Sequence, residues 1–323
     1  MYKVSVVVPV YNAELYIERC LQSLMKQTLD KVQLIIIDDG STDRSLEIIK
    51  KVIQSNSSLK DAITLITRAN QGVAYTRNQG LELAVGDYLT YVDSDDWVEK
   101  DFLEQMYIKG LDEGADIVIC DYYLEYSNKT TQVNHSFTGS PDDLIKGMLA
   151  GSINGFTWNK LIKNNIYSDK RVCFESNIDY LEDMIYVTKA ALLSQHVVVL
   201  GNPLVHYNQT NQLSLTKVIT NESINSMVRA LERIEYLIIE YEKKKEFMDS
   251  LNFQKVKRKL FLLASIDKID GRSLDQMRLL SYSGFYVFNR KLSLNQKFLL
   301  FLSYLPVPII NCFLFLFKLR KKK

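Results

Sequence analysis

Solid apolar runs alternate with helically spaced apolar residues along the first part of this chain. Lys3 to Val8 is rich in valine and stops at Pro9, which predicts a fully buried parallel strand followed by a turn at Tyr11-Asn12. Leu15, Cys20, Leu21 and Leu24 then recur at helical spacing. Leu34 to Ile37 is a second buried strand, closed by Asp38-Asp-Gly-Ser-Thr-Asp43, and Leu46, Ile48, Ile49 and Ile53 mark the helix behind it. Ile63 to Thr67 predicts a third strand, Gly72 to Ala84 a third helix and Tyr88 to Val92 a fourth strand. Strands and helices in this alternation imply an α/β fold with a mostly parallel sheet covered by helices on both faces.

Beyond Trp97 the spacing of Phe102, Leu103, Met106 and Tyr107 predicts an amphipathic helix, and Asp116 to Cys120 a strand. Tyr122 to Asp142 is polar and aromatic without a clear period, and reads as an excursion from the fold, either carrying acceptor contacts or forming a surface loop. Val197 to Leu200 predicts a strand, with a turn and an aromatic segment in Gly201-Asn-Pro-Leu-Val-His-Tyr207. From Glu222 to Gly284 the pattern is helical, with Met227, Leu231, Ile234, Leu237 and Ile238 apolar. Phe298 to Phe317 is then a mostly apolar run interrupted by Ser303, Pro306, Pro308 and Asn311. These changes divide the chain into a body at 1–215, a C-terminal helical appendage at 216–295 and an apolar, basic tail at 296–323.

Composition narrows the function classes. A chain of 323 residues with 47% apolar content can bury a full core. The formal charge of +2 hides an asymmetry, because five of the 40 basic residues lie in Lys318 to Lys323. The remainder is weakly acidic and shows no basic stripe, so nucleic acid is not the expected partner. Four cysteines without a Cys-x-x-Cys pair and three scattered histidines signal neither a disulfide framework nor a zinc cluster, as suits a reducing cytosol. The apolar run at the N-terminus is too short for a signal peptide, and cytoplasmic residence is expected.

Candidate chemistry gathers at the predicted strand ends. In Gly86-Asp-Tyr-Leu-Thr-Tyr-Val-Asp-Ser-Asp-Asp-Trp97 a strand runs straight into Asp93, Asp95 and Asp96. Clustered carboxylates raise one another's pKa unless a cation or a set of donors sits among them, and Asp-x-Asp supplies hard oxygen ligands for Mg²⁺ or Mn²⁺. The same residues could instead cap a helix starting near Val98. Pro9-Val-Tyr-Asn12 and Asp38-Asp39 occupy the ends of two neighbouring strands, where open α/β sheets bind ligands. Farther on, Tyr180-Leu-Glu-Asp-Met-Ile185 places two acids at the start of a helix, where they either stabilise its first turn or act on substrate. Arg77 reads as a partner for a nearby acid that orders the acidic loop.

Val6-Val-Val-Pro-Val-Tyr-Asn12, Asp38-Asp-Gly-Ser-Thr-Asp43, Asn70-Gln-Gly72 with Arg77-Asn78, and Tyr91-Val-Asp-Ser-Asp-Asp-Trp97 together resemble glycosyltransferase family 2, whose members are inverting enzymes of the GT-A fold. Gly155-Phe-Thr-Trp-Asn-Lys-Leu161 and Glu182-Asp183 resemble the second half of its pattern. The resemblance implies a nucleotide-diphosphate sugar, UDP-linked by expectation, held by Pro9, Tyr11, Asn12, Asp39, Arg68 and Asp93. Within that set the Tyr11 ring lies against the base, and Asp39 accepts from a base N–H. Asp93 contacts the ribose or a metal, and Asp95 ligates Mn²⁺ or Mg²⁺ at the diphosphate. His206 is a candidate to complete the metal sphere, and Asp183 is the general base that takes the proton of the acceptor hydroxyl. Family members commonly carry Tyr-Arg where this chain has Tyr207-Asn208, so one diphosphate contact is missing.

Two alternatives stay open at this stage. A nucleotidyltransferase should carry a glycine-rich basic loop after its first strand, where this chain has Tyr11-Asn-Ala-Glu14. A non-catalytic partner subunit should have lost Asp95 or Asp183. Processive synthases of the family carry Gln-x-x-Arg-Trp, absent here, so a single transfer is expected, in surface-polysaccharide assembly on a glycan or lipid-linked acceptor. The tail is expected to hold the protein peripherally on the inner membrane face, with its basic end on anionic headgroups, while burial against the Glu222 to Gly284 helices or in a homo-oligomer interface is the competing account.

Overall fold

In the computed structural model the described residues are 1–135, 139–168, 172–211, 220–241, 244–265, 271, 274–275 and 292–312. They divide into two compact units, the first made of residues 1–145, 153–176 and 182–212, the second of 146–152, 177–181 and 213–323.

The first unit is built on a mixed sheet. Strands β1 (Val4–Val10), β2 (Val32–Asp38), β3 (Ile63–Thr67) and β4 (Tyr88–Tyr91) are parallel, in the order β3-β2-β1-β4. Between them lie α1 (Ile17–Met25), α2 (Ser45–Ser55) and α3 (Val73–Leu83). Val4, Val6, Val7, Val8, Ile35, Ile36 and Ile37 are all fully buried, which is why β1 and β2 read as almost wholly apolar runs. After β3 the chain returns past β1 to lay down β4 on its other side. That reversal opens a crevice at the carboxyl ends of β1 and β4, where the predicted polar residues sit.

The second half of the sheet departs from the expectations in four places. The short strand β5 (Trp97–Val98) stands where a helix was expected to begin, and α4 (Phe102–Asp112) starts only afterwards, so Asp93, Asp95 and Asp96 do not cap a helix. Strand β6 runs from Ile117 to Tyr126 and turns back into β7 (Lys129–Val133), so most of the supposed excursion is a hairpin. Its half-exposed outer end hides the period that would have marked it as strand. Helix α5 (Pro141–Ala150) follows, and β8 (Lys160–Lys163) lies antiparallel between β4 and β6. After α6 (Glu182–Leu193), β9 (Val197–Asn208) is one long strand parallel to β6, where a strand and a separate aromatic segment were expected. Its register slips opposite Cys120 to Tyr122, and this bulge absorbs Gly201-Asn202 without ending the strand. β5 pairs antiparallel with β9, Trp97 opposite His206.

In the second unit, α7 (Asn221–Glu240) opens with a capping box in which the Thr220 hydroxyl accepts from the Ser223 amide. It buries Met227, Leu231, Ile234, Leu237 and Ile238, the residues whose spacing predicted it. Helices α8 (Lys244–Ser265) and α9 (Leu294–Leu302) follow. The apolar run from Phe298 breaks at residues 303–306, and helical turns resume over 307–312; no helix among the described residues is long and apolar enough to cross a membrane. Residues 313–317 of that run and the basic residues 318–323 lie outside the described residues.

Candidate active site

The loops after β1 and β2 are tied together by side chains that their sequences supply. Asn12 takes a φ of 48°, a left-handed conformation that asparagine tolerates. Its Oδ1 accepts from the Thr42 amide at 2.8 Å, and its own amide donates to Ser41 Oγ. Asp43 accepts from the amides of Glu14 and Ser45, so two strand ends form one knitted rim. Gly40 is required here: its φ is +76°, and a Cβ would lie 2.8 Å from the Asn70 backbone nitrogen. Pro9 sits in β1 opposite Ile37, and Tyr11 beyond it is 53% exposed, leaving its ring accessible at the mouth of the crevice.

Asp39 is almost fully buried and accepts from the amides of Gln71 (2.9 Å) and Gly72 (2.8 Å). It is also ion-paired with Arg68. Arg68 in turn donates to Gln79 and to Thr76 Oγ1, and its guanidinium lies over the Tyr75 ring. Both residues therefore order the loop into α3 in addition to any contact with a ligand.

At the end of β4 the carboxylates are unevenly compensated. Asp93 pairs with Arg77 at 3.0 Å, whereas Asp95 accepts from Asn211 Nδ2 and Asp96 from the Asn208 amide, each at 2.8 Å. Burial, and then the charge of Asp93, raise the Asp95 carboxyl above the usual carboxylate range. Asp96 is raised well above it by burial and by both neighbouring acids, and its Oδ2 has no hydrogen-bond partner among the described residues. A place short of positive charge with an orphaned acid oxygen fits a hard divalent cation. Asp95 and Asp93 are the residues that could hold it, with phosphate oxygens and water as the other ligands. Among the described residues no group of three or more His, Cys, Asp or Glu side chains is arranged to hold a metal alone.

His206 does not join that set. Its Nδ1 lies 2.7 Å from Glu125 and its Nε2 3.0 Å from Glu99, while its ring is stacked between Trp97 and Tyr123. Both nitrogens are committed to carboxylates, which removes the histidine from the expected metal sphere. Arg19 covers the outer face of Trp97 at 3.4 Å, a cation–π contact that no local sequence signal announced.

Arg77 joins the two predicted halves of the site. Buried at 4% exposure, it donates to Asp93, to Glu182 at 2.9 Å and to Asp183 at 2.7 Å. Asn78 beside it clasps the backbone of Phe174 through both amide atoms, and Phe174 lies under the Arg77 guanidinium. Glu182 and Asp183 open α6 directly after Leu181, whose φ of 65° is strained for an L-residue. Burial, and then Asp183 alongside, push the Glu182 carboxyl up to about 8 despite Arg77. Asp183 is also raised, by burial above all and further by Asp93, with Arg77 opposing. Its Oδ2 accepts from both the amide and the hydroxyl of Thr157 at 3.3 Å. Sequence reasoning had given no role to Thr157, Asn211 or Arg19. A threonine immediately before Trp158-Asn159-Lys160 was the available hint for the first; the other two are joined to the acids only by tertiary contacts.

The glycosyl transferase family 2 model matches residues 5–185, over half of the chain, and the chain belongs to that family. It is 36% identical to the EpsH protein of Bacillus subtilis strain 168 over 211 residues, 63% of this chain and 60% of EpsH, so it spans less than two thirds of that relative's length. Among solved structures it is similar to residues 1–349 of S. aureus TarS in complex with UDP-GlcNAc, with a TM-score of 0.61 and 18% identity over 95% of this chain and 82% of that one. It is also similar to the mannosyltransferase PcManGT of Pyrobaculum calidifontis in complex with GDP-Man and Mn²⁺, with a TM-score of 0.53 and 16% identity over 97% and 86%. At these identities the structural matches show the fold, which is of the GT-A class.

Proposed function

We propose that this protein transfers one sugar from a nucleotide-diphosphate sugar, UDP-linked, to an acceptor hydroxyl with inversion at the anomeric carbon. The observation that carries the reading is the shared guanidinium of Arg77, which holds Asp93 at the nucleotide end of the crevice and Asp183 at the other. Donor binding falls to Tyr11, Asn12, Asp39 and Arg68 around the base and ribose. The exposed Tyr11 ring and the family membership support that assignment. Asp95, with Asp93, would hold Mn²⁺ or Mg²⁺; such a cation neutralises a departing diphosphate. The Mn²⁺ of a structural neighbour of the same fold supports this. The Asp183 carboxylate would accept the acceptor's proton while Arg77, at Oδ1, and Thr157, at Oδ2, hold it in place. Burial raises its pKa, which makes it a stronger base than an ordinary aspartate.

The acceptor in this reading is a glycan or lipid-linked intermediate of surface-polysaccharide assembly, met at the cytoplasmic membrane face through the apolar and basic tail. The segment buries Leu300, Leu302 and Ile310 and exposes Phe301, Tyr304 and Ile309, and that exposed apolar face supports contact with a membrane surface. The test is a pair of variants in calorimetry with UDP and Mn²⁺, and in UDP release across a panel of UDP- and GDP-sugars. Asp95→Ala should lose metal-dependent UDP binding. Asp183→Asn should keep UDP affinity and lose turnover by orders of magnitude. Wild-type turnover in Asp183→Asn would remove it as the base.

A further inference from the structure

Lys160 is buried at 1% exposure, an unusual place for an ammonium. No carboxylate pairs with it among the described residues. Instead its Nζ donates to the carbonyls of Asn154 (2.8 Å) and Phe156 (2.6 Å) and to Asn159 Oδ1 (2.9 Å), so all three N–H donors are used on neutral oxygens. Those oxygens belong to one turn, which the Lys160 amide also closes by donating to the Thr157 carbonyl at 3.0 Å. Asn159 fastens the turn to β6, its Nδ2 on the Cys120 carbonyl. The residue at the apex is Thr157, whose amide and hydroxyl both donate to Asp183 Oδ2.

We infer that Lys160 is the positioning residue for Asp183: its ammonium gathers the 154–157 turn so that Thr157 aims two donors at the carboxylate, and its charge helps to keep that carboxylate ionised. The role rests on the reading of Asp183 as the base. Methionine would fill the same volume but leave the three oxygens without a donor, so the donors and the charge have to be separated by other substitutions. Burial pushes the Lys160 ammonium down to about 7, and the main charge opposing that shift is Asp183. Asp183 in turn faces Arg77 from α3, Asp93 from the end of β4, Glu182 on its own helix and Lys160 from β8. Of these only Arg77 and Lys160 are cationic, and Lys160 alone acts through the turn.

The test needs no substrate. Protein labelled with ¹³C at aspartate carboxyls is titrated by NMR in metal-free buffer, and the Asp183 resonance is the one lost in Asp183→Asn. Lys160→Gln keeps hydrogen-bond donors but removes the charge, and should move the Asp183 midpoint upward by about one pH unit. Lys160→Arg keeps the charge and should return the midpoint toward the wild-type value. An unmoved midpoint in Lys160→Gln overturns the inference. Should Lys160→Gln lose its native circular dichroism, Thr157→Val cuts the same link at its other end; it should move the midpoint in the same direction, and no movement there also overturns the inference. If Asp183→Asn retains wild-type UDP release from UDP-GlcNAc, the base assignment fails separately, because the titration does not depend on turnover.

Discussion

Replacing Arg77 by methionine isolates what the guanidinium does for the three acids around it. Its side chain is 5% exposed, those of Asp93, Glu182 and Asp183 are 27%, 15% and 12% exposed, and all three ion pairs are at 3.0 Å or less. Methionine preserves most of the volume, so the loss is electrostatic. Breaking a buried ion pair by removing one partner costs about 3–5 kcal/mol, because the charges left behind have no compensation. The loss should depend on pH, with a definite sign. Glu182 and Asp183 already have folded-state pKa values above their unfolded ones, so the folded protein binds the extra protons and stability falls as pH rises through that window. Without Arg77 both values rise further, and the variant should suffer more at pH 8 than at pH 5. One additional proton kept by the native variant over two pH units corresponds to about 2.7 kcal/mol. Urea unfolding followed by circular dichroism at pH 5, 6.5 and 8 measures it. A deficit that is the same at all three pH values, or below about 1 kcal/mol throughout, would refute the view that Arg77 compensates the acid cluster.

Three further outcomes are expected. Asp39→Ala should weaken UDP binding by about 1–3 kcal/mol in calorimetry, and unchanged affinity would reduce Asp39 to its visible work of holding Arg68 and the Gln71 and Gly72 amides. Gly40→Ala should destabilise by more than about 1 kcal/mol in a denaturant melt, since a positive φ and a 2.8 Å approach to the Asn70 backbone act together; a neutral result would mean the loop readily rearranges. Removing everything after Asn295 should release the protein from the membrane fraction on cell fractionation, given about 1 kcal/mol per basic residue near anionic lipid, and continued sedimentation with membranes would exclude the tail as the anchor.

Local order along the chain was sufficient for the parallel half of the fold. Val4 to Val8 and Leu34 to Ile37 read as strands because strands covered on both faces are almost wholly apolar, a one-dimensional property, whereas Ile63 to Thr67, partly buried at the sheet edge, read as one through its β-branched residues. The acids at Asp93, Asp95, Asp96 and Glu182-Asp183 were equally visible, since a carboxylate beside a buried element is costly wherever the chain goes next. Tertiary structure alone decided who compensates them. Arg77 reaches Asp183 across a separation of 106 residues, Asn211 reaches Asp95 across 116, and Lys160 acts on Asp183 by its charge and through a turn closed on Cys120. It also withdrew His206 from the acids, because the pairing of β5 with β9 puts Trp97 against its ring and Glu99 and Glu125 at its nitrogens. The hairpin of β6 and β7 stayed illegible for a related reason: a half-solvated ribbon keeps its alternation only where one face is covered, and which face is covered depends on its neighbours in the sheet.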